Sequence, residues 1–234
     1  MNHPLDNIPW AALTGPHAGL AVGTAAARRY APGFSPIVGF ADPANPDFGA
    51  LAPHCAADEP FYVIAWRGAV PAGWRLDVDA TMFCMVWQGG LPEADPAPEA
   101  RRLGPAHAAQ MMALVALTRP GPFGPRTLEM GTYYGLFDGE GGGEGDDARL
   151  MAMAGERMCT GAYREVSGVC THPDFQGRGL ARRLMLKLVR QQMLRGETPF
   201  LHVMSGNTGA RGLYERMGFV NHRECAVRVM AKAG

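Results

Sequence analysis

The stretch from residue 162 to residue 194 constrains this chain more than any other. AYREVSGVCT (162–171) reads as a strand, and it passes through HPDFQGRG into a segment of helical period. There Leu180, Leu184 and Leu188 fall in one row, with Met185, Val189 and Met193 beside it, and Gly196 ends it. A strand that turns through glycines straight into a helix leaves backbone N–H groups without partners at the helix start. Those groups, with the helix dipole, attract a phosphate or pyrophosphate. Glycine at 177 and 179 removes the Cβ atoms that would hold a bulky anion off the backbone. Arg178, Arg182 and Arg183 add positive charge, and no acid lies between Phe175 and Gly196. The segment is built for an anion.

Around it the elements read as follows. AHAAQMMALVALT (106–118) has a helical face of Met111, Leu114 and Val115 and stops at Pro120, and RPGPFGPRT after it is a structured loop. TYYGLF (132–137) and RLMAMAGERM (149–158) are strands joined by DGEGGGEGDDA, whose five acids suit a solvated hairpin loop and not a phosphate cradle. The Ser167–Gly168 pair permits a bulge or a close backbone approach. PFLHVM (199–204) is a buried strand, TGARGLYERM (208–217) a short helix closed by Gly218, and FV-x5-AVRVM a final strand or hairpin arm. Upstream, FYVIAW (61–66) and TMFCMVW (81–87) are short strands with PAGW as a turn, and residues 16–30 hold a helix weakened by Gly19 and Gly23. The proline-rich, acidic stretch at 89–105 reads as a linker, which divides the chain into an N-terminal lobe (1–100) and a second domain (101–234).

Composition removes several function classes. The 234 residues are 47% hydrophobic, enough for a buried core, and 22 basic residues balance 22 acidic ones. Nothing global therefore points to nucleic acid or to a membrane surface. Cysteines 55, 84, 159, 170 and 225 have neither CxxC nor metal-ligand spacing, which argues against a disulfide framework and against a metal site. No secretory leader and no apolar run of membrane-spanning length is visible, so a cytoplasmic protein is the expectation.

The anion can be narrowed. No Gly-Lys-Ser/Thr follows the glycines, and Arg182 stands where a dinucleotide fingerprint would place its third glycine. What fits is Q-x-x-G-x-G/A, as Gln176, Gly179 and Ala181. With Glu165 upstream and NTGARGLYERMGF (207–219) downstream, the sequence resembles the GNAT superfamily of acyl-CoA-dependent N-acetyltransferases over residues 106–225. TRPGPFGPRT and AMAGERM are similar to the subgroup of glycine N-acyltransferase-like domains, in which the N-terminal lobe is often a degenerate copy of the same fold. The lobe here has no Q-x-x-G-x-G/A and would be non-catalytic.

The resemblance implies an α/β (α+β) fold with a mixed sheet whose fourth and fifth strands splay apart. It implies a pantetheine arm bound along Val169, Cys170 and Thr171, a pyrophosphate over Gly177, Arg178, Gly179, Leu180, Ala181 and Arg182, and coenzyme contacts from Gln176 and Asn207. Acetyl-CoA would be the acyl donor, with no metal. The acceptor would be a small-molecule primary amine or amino acid, attacking directly in a ternary complex. Glu165 is the expected general base, acting directly or through water, and Tyr214 the expected proton donor to the thiolate. A backbone N–H near Val169 or Cys170 would hold the oxyanion. Arg119, Phe123 and Arg126 are candidates for the acceptor pocket. Cys170 reads as a small core hydrophobe, and His172 and His202 as structural or coenzyme-adjacent. The rival reading is a sensor module that binds acyl-CoA without turning it over; a homodimer is left open.

Overall fold

The computed structural model describes residues 3–139 and 148–234. Most of the acidic DGEGGGEGDDA joint therefore lies outside the described residues. In chain order the elements are α1 (Ile8–Thr14), β1 (Ala21–Gly23), β2 (Ala27–Tyr30), β3 (Val38–Phe40), α2 (Phe48–Leu51), β4 (Pro60–Ile64) and β5 (Trp74–Trp87). They continue with β6 (Arg101–Arg102), α3 (Ala108–Thr118), β7 (Tyr133–Phe137), β8 (Leu150–Cys159), β9 (Tyr163–Thr171), α4 (Leu180–Leu194), β10 (Thr198–Met204), α5 (Thr208–Met217) and β11 (Phe219–Lys232).

Strands β4 to β11 form one mixed sheet in the order β4-β11-β5-β10-β9-β8-β7-β6. Its spine is the antiparallel pair β5 and β11, in register from Trp87↔Phe219 to Trp74↔Lys232 with two bulges. The expected boundary at residue 100 does not divide this sheet, because β5 lies between β11 and β10. The stretch expected to be a linker is instead clamped onto α4: Asp95 pairs with Lys187 and Glu99 with Arg183. Arg183 is thus spent on this clamp and is not free charge beside the glycine turn.

Residues 16–30 also depart from expectation. They hold β1 and β2, which pair antiparallel and continue into β3 as a separate three-stranded sheet. Arg29 interrupts what would otherwise be an apolar alternation, yet it is buried, bonded to Glu59 and lying 4.5 Å from the Phe61 ring centroid. Among the described residues, the N-terminal region has no strand–glycine turn–long helix unit, so it does not repeat the architecture of residues 150–194.

Apolar side chains on the two faces of the large sheet make separate cores. On one face α4 sets Leu184 and Leu188 against Met85, Val166 and Leu201. On the other, Leu5, Leu13 and Tyr30 from the N-terminal region pack on Cys84 and Phe200, and α3 packs Met111 and Leu114 on Tyr133 and Met153. Each fully buried large side chain contributes about 1.5–3 kcal/mol of transfer free energy, so both faces are committed to packing. The gap in the middle of the sheet is where they are not.

Candidate active site

β9 and β10 run parallel but pair only over Thr198↔Tyr163, Pro199↔Arg164 and Phe200↔Glu165. Beyond those pairs the strands separate, and β10 continues along β5 while β9 continues along β8. The predicted bulge in β9 contributes. Between Cys170↔Met153 and Ser167↔Gly155 the register slips, and Gly168 takes φ +61°, a left-handed conformation that favours glycine. A Cβ there would also lie 2.9 Å from the Tyr133 ring. No β10 partner follows Phe200 along β9, so backbone groups of Val169, Cys170 and Thr171 border an open cleft.

That cleft is a cavity of about 580 Å³. On the α4 side it is lined by Gln176, Asn207, Ala210 and Tyr214, and near the bulge by Val169, Cys170 and Thr171. Arg119, at the end of α3, also lines it. The turn carrying Gly177 and Gly179 (φ +76° and +72°) is exposed just beyond Gln176, and no side chain caps α4. The N–H groups of Leu180, Ala181 and Arg182 precede the first intrahelical bond, which Arg183 N–H donates to Gly179. Arg178 lies over Phe175, and Arg182 is exposed. This is an uncapped, positively charged helix start; residues 177–182 do not themselves line the cleft, which reaches this segment at Gln176.

Burial pushes the Tyr214 phenol up to about 12, so it keeps its proton at neutral pH. Burial likewise pushes the Cys170 thiol up to about 11, which makes it a poor nucleophile. Asn207 caps α5 by accepting the Ala210 N–H, and its residue borders the cleft.

Glu165 requires a correction. It is fully buried and does not line the cleft. Arg157 donates to both of its oxygens (2.9 and 2.7 Å), the Met158 N–H donates at 3.1 Å, and His202 Nδ1 lies 2.8 Å from Oε1. Burial alone would raise this carboxyl. The Arg157 charge, and hydrogen bonds from Arg157 and His202, outweigh it and hold the carboxyl far below the usual carboxylate range. A carboxylate this stable and this enclosed is a poor direct base. The nearby Arg164 and Arg149 are not its partners; they bind Glu197 and Asp138.

The residue that does face the cleft is His202. An ionised carboxylate only accepts hydrogen bonds, so Nδ1 carries the proton given to Glu165. In the neutral ring Nε2 is then the lone-pair nitrogen, and it has no hydrogen-bond partner among the described residues. Alternation along PFLHVM offered a signal, since it sets His202 on the face of Phe200, opposite Leu201 and Val203.

Two further residues expected at the pocket are placed elsewhere. Arg126 pairs with Glu129 at 2.8 Å and lies over Phe34, and Phe123 packs edge-on against Tyr133; neither lines the cleft. Arg157 does line it, as do Ile37, Tyr62, Ile64, Met82 and Val227, none of which the motifs single out. Among the described residues no group of His, Cys, Asp and Glu is arranged to hold a metal, and no helix is long and apolar enough to cross a membrane.

Comparison with known proteins bears on the family and the fold. Residues 144–228 match the model of the FR47-like protein family. A solved structure from Novosphingobium aromaticivorans, assigned to the GNAT family of acetyltransferases, is 35% identical, with both chains fully covered and a TM-score of 0.86. A GCN5-related N-acetyltransferase from Kribbella flavida shares the fold at 18% identity and a TM-score of 0.60, with 97% of this chain and 95% of that one covered. No curated protein matches the sequence.

Proposed function

This chain belongs to the GNAT family of acetyltransferases, and we propose that it moves an acetyl group from acetyl-CoA directly to the primary amine of a small molecule. The observation that carries this reading is the β9–β10 cleft, which joins an uncapped helix start at one end to a carboxylate-oriented histidine at the other. The glycine N-acyltransferase-like subgroup is part of the reading, supported by the Arg119–Pro122 loop bordering the cleft.

The diphosphate binds the N–H groups that open α4, with Arg178 and Arg182 beside it, and Gln176 and Asn207 contact the coenzyme. The pantetheine arm lies along Val169 to Thr171, taking the hydrogen bonds that β10 leaves unmade. His202 Nε2 accepts the ammonium proton, and the free amine attacks the thioester carbonyl. Glu165 acts through His202: it fixes the tautomer and stabilises the imidazolium once formed. A backbone N–H beside the bulge at Gly168 holds the tetrahedral oxyanion. As the C–S bond breaks, the Tyr214 hydroxyl donates a hydrogen bond to the departing sulfur.

The test is thermal unfolding with and without acetyl-CoA, followed by coenzyme A release with an amine panel. A ligand at 100 times its Kd adds about 2.7 kcal/mol to stability. A raised midpoint that disappears in an Arg178→Glu/Arg182→Glu double variant places the coenzyme at the α4 turn. A raised midpoint with no turnover of any amine favours a sensor, and no shift at saturation ends the transferase reading.

A further inference from the structure

The cleft passes through the sheet. Its α4 side carries Gln176, Asn207 and Tyr214, and its opposite side is walled by Ile37, Tyr62, Ile64, Met82 and Val227. Those five come from the N-terminal region, β4, β5 and β11, and Ile37, Met82 and Val227 are buried. Between the two halves stand His202 and Arg157. We infer that the far half is the acceptor site, and that its ligand is an amine bearing both an apolar side chain and a carboxylate on the same carbon, that is, an apolar α-amino acid. The inference rests on the acyl-transfer reading, because it is the coenzyme on the α4 side that leaves the far half to the acceptor.

Three observations select this class. The wall is aliphatic and aromatic, which favours an apolar body over a sugar or a polyamine. No Asp or Glu lines the cleft among the described residues, so a polycation finds no counter-charge there, whereas Arg157 and Arg119 favour an anionic group. The spacing is also short. Arg157 Nη2 and His202 Nδ1 both bind the same oxygen, Glu165 Oε1, at 2.7 and 2.8 Å. Glu165 occupies Nε and Nη2 of Arg157, and Nη1 has no hydrogen-bond partner among the described residues. Arg157 and His202 are therefore close neighbours at the cleft, and one small ligand can offer a carboxylate to Nη1 and an amine to His202 Nε2, as an α-amino acid would. The N-terminal region thereby sets specificity while contributing no reacting group.

The experiment compares kcat/KM at saturating acetyl-CoA for L-phenylalanine, L-leucine, glycine, phenethylamine and spermidine. Phenylalanine or leucine should exceed both glycine, which lacks the apolar group, and phenethylamine, which lacks the carboxylate, by about tenfold or more. Ile64→Trp, which adds bulk to the far half and leaves Arg157 and Glu165 themselves unchanged, should raise KM for phenylalanine far more than for glycine and leave the acetyl-CoA thermal shift intact. Preference for spermidine, or equal use of phenethylamine and phenylalanine, overturns the acceptor assignment while leaving acyl transfer standing. No acetyl-CoA shift and no turnover of any amine sinks the transfer reading, and the assignment with it.

Discussion

Arg157 and Glu165 form a two-pronged ion pair across neighbouring strands, Nε to Oε2 at 2.9 Å and Nη2 to Oε1 at 2.7 Å, with the carboxylate wholly enclosed. The pair sits at the last rung before β9 and β10 part, since Glu165 is matched with Phe200 there. It therefore serves two ends: it closes the sheet below the cleft, and it presents one carboxylate oxygen to His202.

Replacing Glu165 separates those two ends. Glu165→Ala leaves Arg157 buried without its partner, which should cost about 3–5 kcal/mol in denaturant unfolding. Glu165→Gln should fold better but work poorly. An amide nitrogen at the Oε2 position would face two fixed donors, Arg157 Nε and the Met158 N–H. At Oε1 it would face only one fixed donor, because the His202 ring can change tautomer and accept. The amide nitrogen therefore turns to His202, drives the lone pair onto Nδ1, and blocks Nε2 as a base. Turnover should fall by about 10²–10⁴ with acetyl-CoA binding retained; unchanged turnover would remove Glu165 from the mechanism.

Acid should destabilise the fold in two stages. His17 bonds the Tyr30 hydroxyl at 3.0 Å, and burial, aided by the Arg164 charge, lowers its pKa to about 4. The unfolded chain takes up this proton near the ordinary value of about 6.5, so the folded state loses stability as pH falls from there toward 4. Glu165, whose folded pKa is depressed, contributes stability that is complete above its unfolded value of about 4.3 and is lost only at lower pH. Chemical unfolding between pH 7 and 4.5 should show declining stability in wild type and a flatter profile in His17→Gln. Identical slopes would contradict the His17 assignment.

How far the sequence reveals this molecule depends on where each residue finds its partner. α4, β9 and β10 follow from local periodicity, and the glycine turn declares its positive φ angles through Gly177 and Gly179. The segment around Asp95 and Glu99 looks like a linker because its charges find Lys187 and Arg183 only 92 and 84 residues away. β2 is obscured by Arg29, a charge that enters the core because Glu59 meets it there. The role of His202 is hidden for the same reason. Nothing near residue 202 announces Glu165 or Arg157, and the acceptor wall gathers side chains from positions 37 to 227.

Gly168 should tolerate no side chain. Alanine at φ +61° pays the left-handed penalty of about 1–2 kcal/mol. Its Cβ would stand 2.9 Å from the enclosed Tyr133 ring, adding overpacking of about 1–3 kcal/mol unless the bulge relaxes. Relaxation would return β9 toward regular pairing and narrow the cleft. Gly168→Ala should therefore lower both the unfolding midpoint and the affinity for acetyl-CoA, as read by calorimetry. A variant as stable as wild type would show that the bulge is not held by glycine.

Tyr214 tests the leaving-group end. Its ring lies 6.2 Å from Phe219, and removal of the hydroxyl leaves that packing in place. Tyr214→Phe should keep the wild-type melting temperature and acetyl-CoA shift but lose about 10²-fold in kcat. A full loss of stability with the activity loss would instead mark the phenol as a structural group.

His202 is the sharper test, because its removal spares the ion pair beside it. In His202→Ala, Glu165 still accepts from both Arg157 nitrogens and from the Met158 N–H, so the carboxylate remains paired and the sheet stays closed. Acetyl-CoA should bind as in wild type, since the contacts proposed for it lie toward α4. The amine, however, would meet no group able to take its proton, and kcat/KM should drop by about 10²–10⁴. Raising the pH supplies more of the acceptor as free amine, so the deficit of His202→Ala relative to wild type should shrink under alkaline conditions. A loss that stays constant with pH would mean that His202 only shapes the cleft, and that the proton leaves by another route.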